Sequence, residues 1–260
     1  MLWYYETRGN NVMGNITMIA SGKGGVGKST TTACLGLQLA EANKRVLLID
    51  MDSGLASLEH MLGITKNLVY DISDIVNGNC TVMKAIYKCE FNDNLFLLPA
   101  PRDLKNDLKQ DVFHKLVDML SKYYDHILID CPAGIGNGFL SAIGCSNNAL
   151  LVATPNPISV ANVRKARDIL AENGVEELRL VINRFDRKLF QKTRVYDDLD
   201  QVIDTSGLQL IAIIPEDGES ALLLSNGVLP SGKSHIIRAI KRLAGRLNGE
   251  RIPLPSLRKL

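Results

Sequence analysis

The stretch SGKGGVGKST, residues 21–30, follows the apolar run ITMIA (16–20) and leads into STTTACLGLQLAEANK (29–44), whose Leu35, Leu39 and Ala42 fall on one helical face. Gly22 to Ser29 fits the pattern G-x-x-x-x-G-K-[ST], in the strand, loop and helix setting that gives the pattern its meaning. Glycines open backbone conformations closed to other residues, so that successive N–H groups turn inward around phosphate oxygens at a helix start. Lys28 is then in reach of the β- and γ-phosphates of a nucleotide, and the Ser29 hydroxyl is a ligand for Mg2+. Lys23, inside the glycine run, is surplus to such a loop and is aimed away from its own γ-phosphate site.

Outward from the loop, short β-branched or leucine-rich runs recur: RVLLID (45–50), LFLLPA (95–100), HILID (126–130), ALLVAT (149–154), LRLVIN (178–183) and LQLIAIIP (208–215). They read as buried parallel strands. Between them lie helical patterns, such as DVFHKLVDMLSKYY (111–124) with Val112, Leu116 and Leu120 on one face, and SVANVRKARDILAENG (159–174), closed by Gly174. This alternation predicts an α/β fold, a doubly wound, mostly parallel sheet of about seven or eight strands with helices on both faces. No linker or repeat divides the chain, so residues 13–250 are expected to form one domain. Residues 1–12, with Trp3, Tyr4 and Tyr5, read as an N-terminal tail, and 251–260 as a short basic C-terminal tail.

Ligands of such sheets sit at the carboxyl ends of the strands. Two strands end there in carboxylates: LLIDMD supplies Asp50 and Asp52, alternate residues that share a side if the extended geometry persists, and HILIDCPAG supplies Asp130. One aspartate after a strand is often a helix cap. Three on two strands beside a phosphate loop read as a site that holds Mg2+ and orients an attacking water.

A net charge of +2, from 30 basic and 28 acidic residues, provides no overall field for nucleic acid, so DNA is not an expected partner. The five cysteines, Cys34, Cys80, Cys89, Cys131 and Cys145, form no CxxC pair and read as core thiols of a reducing compartment. The first residues lack the pattern of a secretory signal, and no apolar run reaches about 18 residues, the length of a spanning helix. The expectation is a cytoplasmic protein, still free to rest on the inner face of the cell membrane.

KGGVGKST (23–30) is a deviant Walker A motif, and with it the chain resembles the MinD/ParA family of ATPases from about residue 16 to 252. VLLIDMDSGLASLEHMLG (46–63) looks like the first switch region of the MinD branch, and ILIDCPAGIGNG (127–138) like its Walker B strand and second switch. The resemblance implies ATP and Mg2+ as ligands, an ATP-dependent face-to-face homodimer, and slow hydrolysis that returns the monomer. It implies that Gly24, Gly25, Val26, Gly27, Lys28, Ser29 and Thr30 cradle the triphosphate, and that Ser29, Asp50 and Asp130 hold the metal. Gly134 would sense the γ-phosphate, Asn183 in VINRF and Pro215 in AIIPED would receive adenine, and Asp52 would position water. Lys23 would reach the partner's nucleotide, much as an arginine finger does. Its role would be to time the positioning of the division site, with MinC- or MinE-like regulators as partners. The same resemblance accommodates a flagellar-number regulator, a ParA-like partitioning ATPase or an iron–sulfur carrier, the last needing presented cysteines such as Cys131.

Two features depart from the family pattern. Ala56 and Ser57 stand where the MinD branch commonly has arginine and asparagine. From Lys233 onward there are eight basic residues (Lys233, Arg238, Lys241, Arg242, Arg246, Arg251, Arg258, Lys259) against Glu250 alone, and Ile236, Ile240, Leu243 and Leu247 share a helical face. This helix is expected to close the fold against the sheet. RIPLPSLRKL (251–260), with two prolines and Leu257 and Leu260 near its end, cannot make the amphipathic membrane helix usual in the MinD branch.

Overall fold

The computed structural model describes residues 13–53, 57–64, 68–102 and 110–256. The sequence readings at Trp3, Tyr4, Tyr5, Ala56, Leu257, Arg258, Lys259 and Leu260 lie outside these residues.

In chain order the elements are β1 (Asn15–Ala20), α1 (Lys28–Glu41), β2 (Val46–Asp50), α2 (Ser57–Met61), α3 (Ile72–Val76), β3 (Tyr87–Lys88), β4 (Leu95–Leu98), α4 (Gln110–Ser121), β5 (His126–Asp130), α5 (Asn137–Ile143) and β6 (Asn148–Ala153). They continue with α6 (Pro157–Glu172), β7 (Glu177–Phe185), α7 (Arg187–Thr193), α8 (Leu199–Ser206), β8 (Gln209–Pro215), α9 (Gly218–Ser225) and α10 (His235–Leu247). The strands form one eight-stranded sheet in the order β3-β4-β2-β5-β1-β6-β7-β8. All neighbours run parallel except β3, which lies antiparallel on β4 at the edge. The sheet and its parallel strands match the expected fold class. The two-residue β3, in Tyr87–Lys88, is too short to leave a periodic signal.

Strand alternation sorts the core into two layers. Met18, Leu47, Ile49, Ile127 and Ile129 face one side, with Phe113 of α4, Phe139 of α5 and Val160 of α6. Ile19, Val46, Leu48 and Leu128 face the other, with Leu35 and Leu39 of α1 and Ile240 and Leu243 of α10. Successive strand residues therefore bury on opposite faces, which is why these strands are apolar throughout.

Two helix readings are corrected. Val112 is exposed, because the core face of α4 runs through Phe113, Leu116, Val117 and Leu120. Ala42 lies beyond α1 as its exposed C-cap. Helix α1 is buried nearly all round, since it sits between the sheet and α10. Of the cysteines, Cys34, Cys89 and Cys131 are buried, and Cys80 and Cys145 half-buried.

Helix α10 packs on α1 and β8 through Ile236, Ile240 and Leu243, as its periodicity predicts. Beyond it, Arg246 holds the following segment: Nε donates to the Ile252 carbonyl, Nη1 to that of Ile211 and Nη2 to that of Pro253, each at 2.8 Å. Residues 251–256 form no helix. No helix among the described residues is long and apolar enough to cross a membrane.

Candidate active site

Strand β1 ends at Ala20 in the middle of the sheet, flanked by β5 and β6, and the glycine loop rises from it into α1. Gly25 and Gly27 hold φ of 77° and 86°, the left-handed region that a side chain disfavours. A Cβ on Gly27 would also stand 2.2 Å from Asn183 Nδ2. Gly27 caps α1 with no side chain bonded to the first helical N–H groups, and no acidic residue occupies the first turn. Helices α3, α6, α7, α8, α9 and α10 each begin instead at an Asp, Asn or Ser whose side chain accepts from the backbone. The α1 start thus keeps its N–H groups and dipole available to an external anion.

Register brings the acidic ends together. Asp50 of β2 lies directly beside Asp130 of β5, although 80 residues separate them in sequence. Both carboxylates are buried, at 1% and 0% exposure. Lys28 Nζ lies 3.0 Å from Asp130 Oδ1, which also accepts from Thr32 Oγ1 at 3.1 Å. Burial pushes the Asp130 carboxyl up, against the pull of the Lys28 charge and of the hydrogen bond from the Thr32 hydroxyl. Burial, and then the Asp130 charge, push the Asp50 carboxyl up to about 7. Each aspartate keeps one oxygen, Oδ2, buried without a hydrogen-bond partner.

Two adjacent buried carboxylates with an orphaned oxygen each, compensated by one lysine, fit a divalent cation. No group of three or more His, Cys, Asp and Glu is gathered among the described residues. Mg2+ takes one or two carboxylates and fills its shell with water and phosphate oxygens, which a pair such as Asp50 and Asp130 suits.

The extended geometry on which a shared side for Asp50 and Asp52 depended does not persist beyond Asp50. β2 ends at Asp50, and the Asp52 amide folds back to donate to Asp50 Oδ1 at 2.8 Å, leaving Asp52 half-buried at the strand exit. Gly134, at φ 85°, is drawn to the loop by its N–H, which donates to the Ser21 carbonyl at 3.2 Å. Lys23 is exposed, Val26 is buried, and Ser29 and Thr30 are partly exposed. Asn183 is buried and donates from Nδ2 to the Val26 carbonyl at 2.8 Å. With Pro215, Gly27 and Thr30 it lines a narrow cleft of about 30 Å³.

Sequence reasoning overlooked Thr32, Ser21, Arg184 and Asp217. Thr32 is one helical turn beyond Lys28, so helical spacing alone would have put both on the face towards Asp130. Asp217 accepts from Ser220 N, Ser220 Oγ and Ser234 Oγ, tying the starts of α9 and α10 behind the cleft. Cys131 is wholly buried, and burial pushes its thiol up, so it is not presented at the surface.

Residues 14–194 match the model of an AAA domain family. The septum site-determining protein MinD of Thermotoga maritima is 36% identical over 248 residues, covering 93% of this chain and 91% of that protein. The MinD of the Aquifex aeolicus MinC:MinD cell division complex superposes with a TM-score of 0.85 at 34% identity, over 93% of this chain and 99% of that one. MinD of Pyrococcus horikoshii, solved with Mg-ADP, superposes at 0.81 with 28% identity, over 91% and 96% of the two chains. With a phosphate loop, paired strand-end aspartates and this likeness along nearly its full length, the chain belongs to the MinD family of P-loop NTPases.

Proposed function

We propose that this chain is an ATP-dependent dimerising switch ATPase, which hydrolyses ATP slowly and so times the positioning of the division site. The observation that carries this reading is the buried Asp50–Asp130 pair, with one orphaned oxygen each, beside Lys28 and an uncapped helix start.

The backbone from Gly24 to Thr30 takes the triphosphate, and Lys28 exchanges Asp130 for the β- and γ-phosphates. Ser29, Asp50 and Asp130 are the residues that would hold Mg2+, which supplies charge neutralisation to the transferring phosphoryl group. Asp52 orients the attacking water. Gly134 gives up the Ser21 carbonyl and donates to the γ-phosphate, which shifts the second switch; Ile135 and Leu140 there are exposed apolar side chains suited to a dimer face. Lys23, exposed on the glycine loop, completes the partner's site, so that assembly and hydrolysis are coupled.

The Aquifex complex supports a MinC-like regulator as the partner of the dimer. We place the protein in the cytoplasm, working at the inner face of the membrane, with 13–250 as its ATPase domain.

Sedimentation of Asp52→Ala with ATP, with ADP and without nucleotide tests this reading, since slowed turnover traps the ATP state. A dimer with ATP alone is the expected result, and a monomer in all three conditions contradicts it. Anionic vesicles added to the ATP sample read membrane attachment: co-sedimentation supports it, and indifference assigns localisation to a protein partner.

A further inference from the structure

We infer that Arg184 is the residue that lies on the nucleobase and makes the site prefer a base-bearing ligand over bare triphosphate. The inference rests on reading the Asn183–Pro215 cleft as the base site.

The β7–β8 register breaks between Ile182 and Phe185, and inside the break Arg184 takes φ 54°. A left-handed arginine is disfavoured where glycine would cost nothing, and bulges of this kind re-aim side chains next to functional sites. Here the break separates two neighbours. Asn183 turns inward to the phosphate loop, while Arg184 stays half exposed on the rim of the cleft that Gly27, Asn183, Pro215 and Glu216 also line.

Among the described residues, nothing holds that guanidinium tightly. Its ion pair is Glu216, at 4.0 Å, with both side chains about half exposed (52% and 45%). Exposed pairs of this length contribute little. The other acid of the cleft, Asp217, is engaged by Ser220 and Ser234. The cleft, at about 30 Å³, has room for about one water and none for a purine, so a base enters only by parting this rim. A planar cation standing there, weakly paired, exchanges Glu216 for the face of the base, as guanidinium groups stack on aromatic rings.

The test measures binding of Mg2+-ATP and of Mg2+-tripolyphosphate, which has no base, to the wild type, Arg184→Gly, Arg184→Lys and Asn183→Ala. Glycine accepts the left-handed conformation, so Arg184→Gly removes the side chain without straining the backbone. The expected result is about tenfold weaker ATP binding for Arg184→Gly with tripolyphosphate unchanged, and only partial recovery in Arg184→Lys, whose ammonium is not planar. Equal losses for both ligands would overturn the inference, because the arginine would then act on the phosphates or the fold. If Arg184→Gly binds ATP normally while Asn183→Ala does not, the Arg184 role falls and the base cleft stands. Normal ATP binding by both variants removes the base cleft itself.

Discussion

Replacing Lys28 by alanine abolishes ATP binding and also weakens the nucleotide-free fold, by about 3–5 kcal/mol. Lys28 is 6% exposed, and its ammonium is the cation set against two wholly buried carboxylates. Without it Asp130 and Asp50 face each other with hydroxyl and amide donors alone, and the cheapest response is for one to take up a proton. Urea unfolding at pH 7 measures the loss. The double variant Lys28→Ala/Asp130→Asn removes both partners, so it recovers most of the stability and none of the ATP binding. A single variant as stable as the wild type would show that Lys28 does not neutralise this pair.

Asp50→Asn has the opposite sign on stability. With the Asp50 carboxyl pushed up to about 7 and a value near 4 in the unfolded chain, the folded protein holds this proton more tightly. The stabilisation is complete below about pH 4 and is given up as pH rises through about 7. At pH 8 the native protein carries a buried charge beside Asp130, which asparagine removes while still accepting the Asp52 amide. The variant should therefore be about 2–4 kcal/mol more stable than the native protein at pH 8 without nucleotide, and the difference should shrink as pH falls and be small at about pH 4. It should at the same time lose the Mg2+ dependence of ATP binding, since one of the two orphaned oxygens is gone. Thermal unfolding from pH 4 to 8, with and without Mg2+-ATP, reads both effects, and a variant that Mg2+-ATP protects as well as it does the wild type would take Asp50 out of the metal site.

What was legible in the chain follows from the range of each signal. The seven parallel strands and their helices show because each buried segment carries its own periodicity, and the loop at 22–29 shows because its glycines and Lys28 are contiguous. The edge strand Tyr87–Lys88 is too short for any period, and α7, α8 and α9 are helices of only seven or eight residues, about two turns each. The aspartates were legible as strand ends. Their adjacency was not, because it depends on β5 inserting between β1 and β2, a choice made by the whole sheet. The shared side of Asp50 and Asp52 was conditional on extended geometry persisting, and only the structure shows that the chain turns onto Asp50 just past the strand end. Arg184 gave no signal at all: a left-handed arginine is visible only once the β7–β8 register breaks around it.

The central claim is that the two lysines of one glycine loop serve two active sites, Lys28 its own and Lys23 its partner's. Mixing two inactive variants, Lys23→Ala and Asp52→Ala, tests it most directly. In a mixed dimer the site of the Lys23→Ala subunit keeps its Asp52 and receives Lys23 from the other subunit, while the second site lacks both. Action across the interface predicts that an equimolar mixture regains about a quarter of wild-type ATPase activity, one working site in the half of dimers that are mixed. If the mixture stays as inactive as its components while mixed dimers form, Lys23 acts within its own subunit and the paired-site account is wrong.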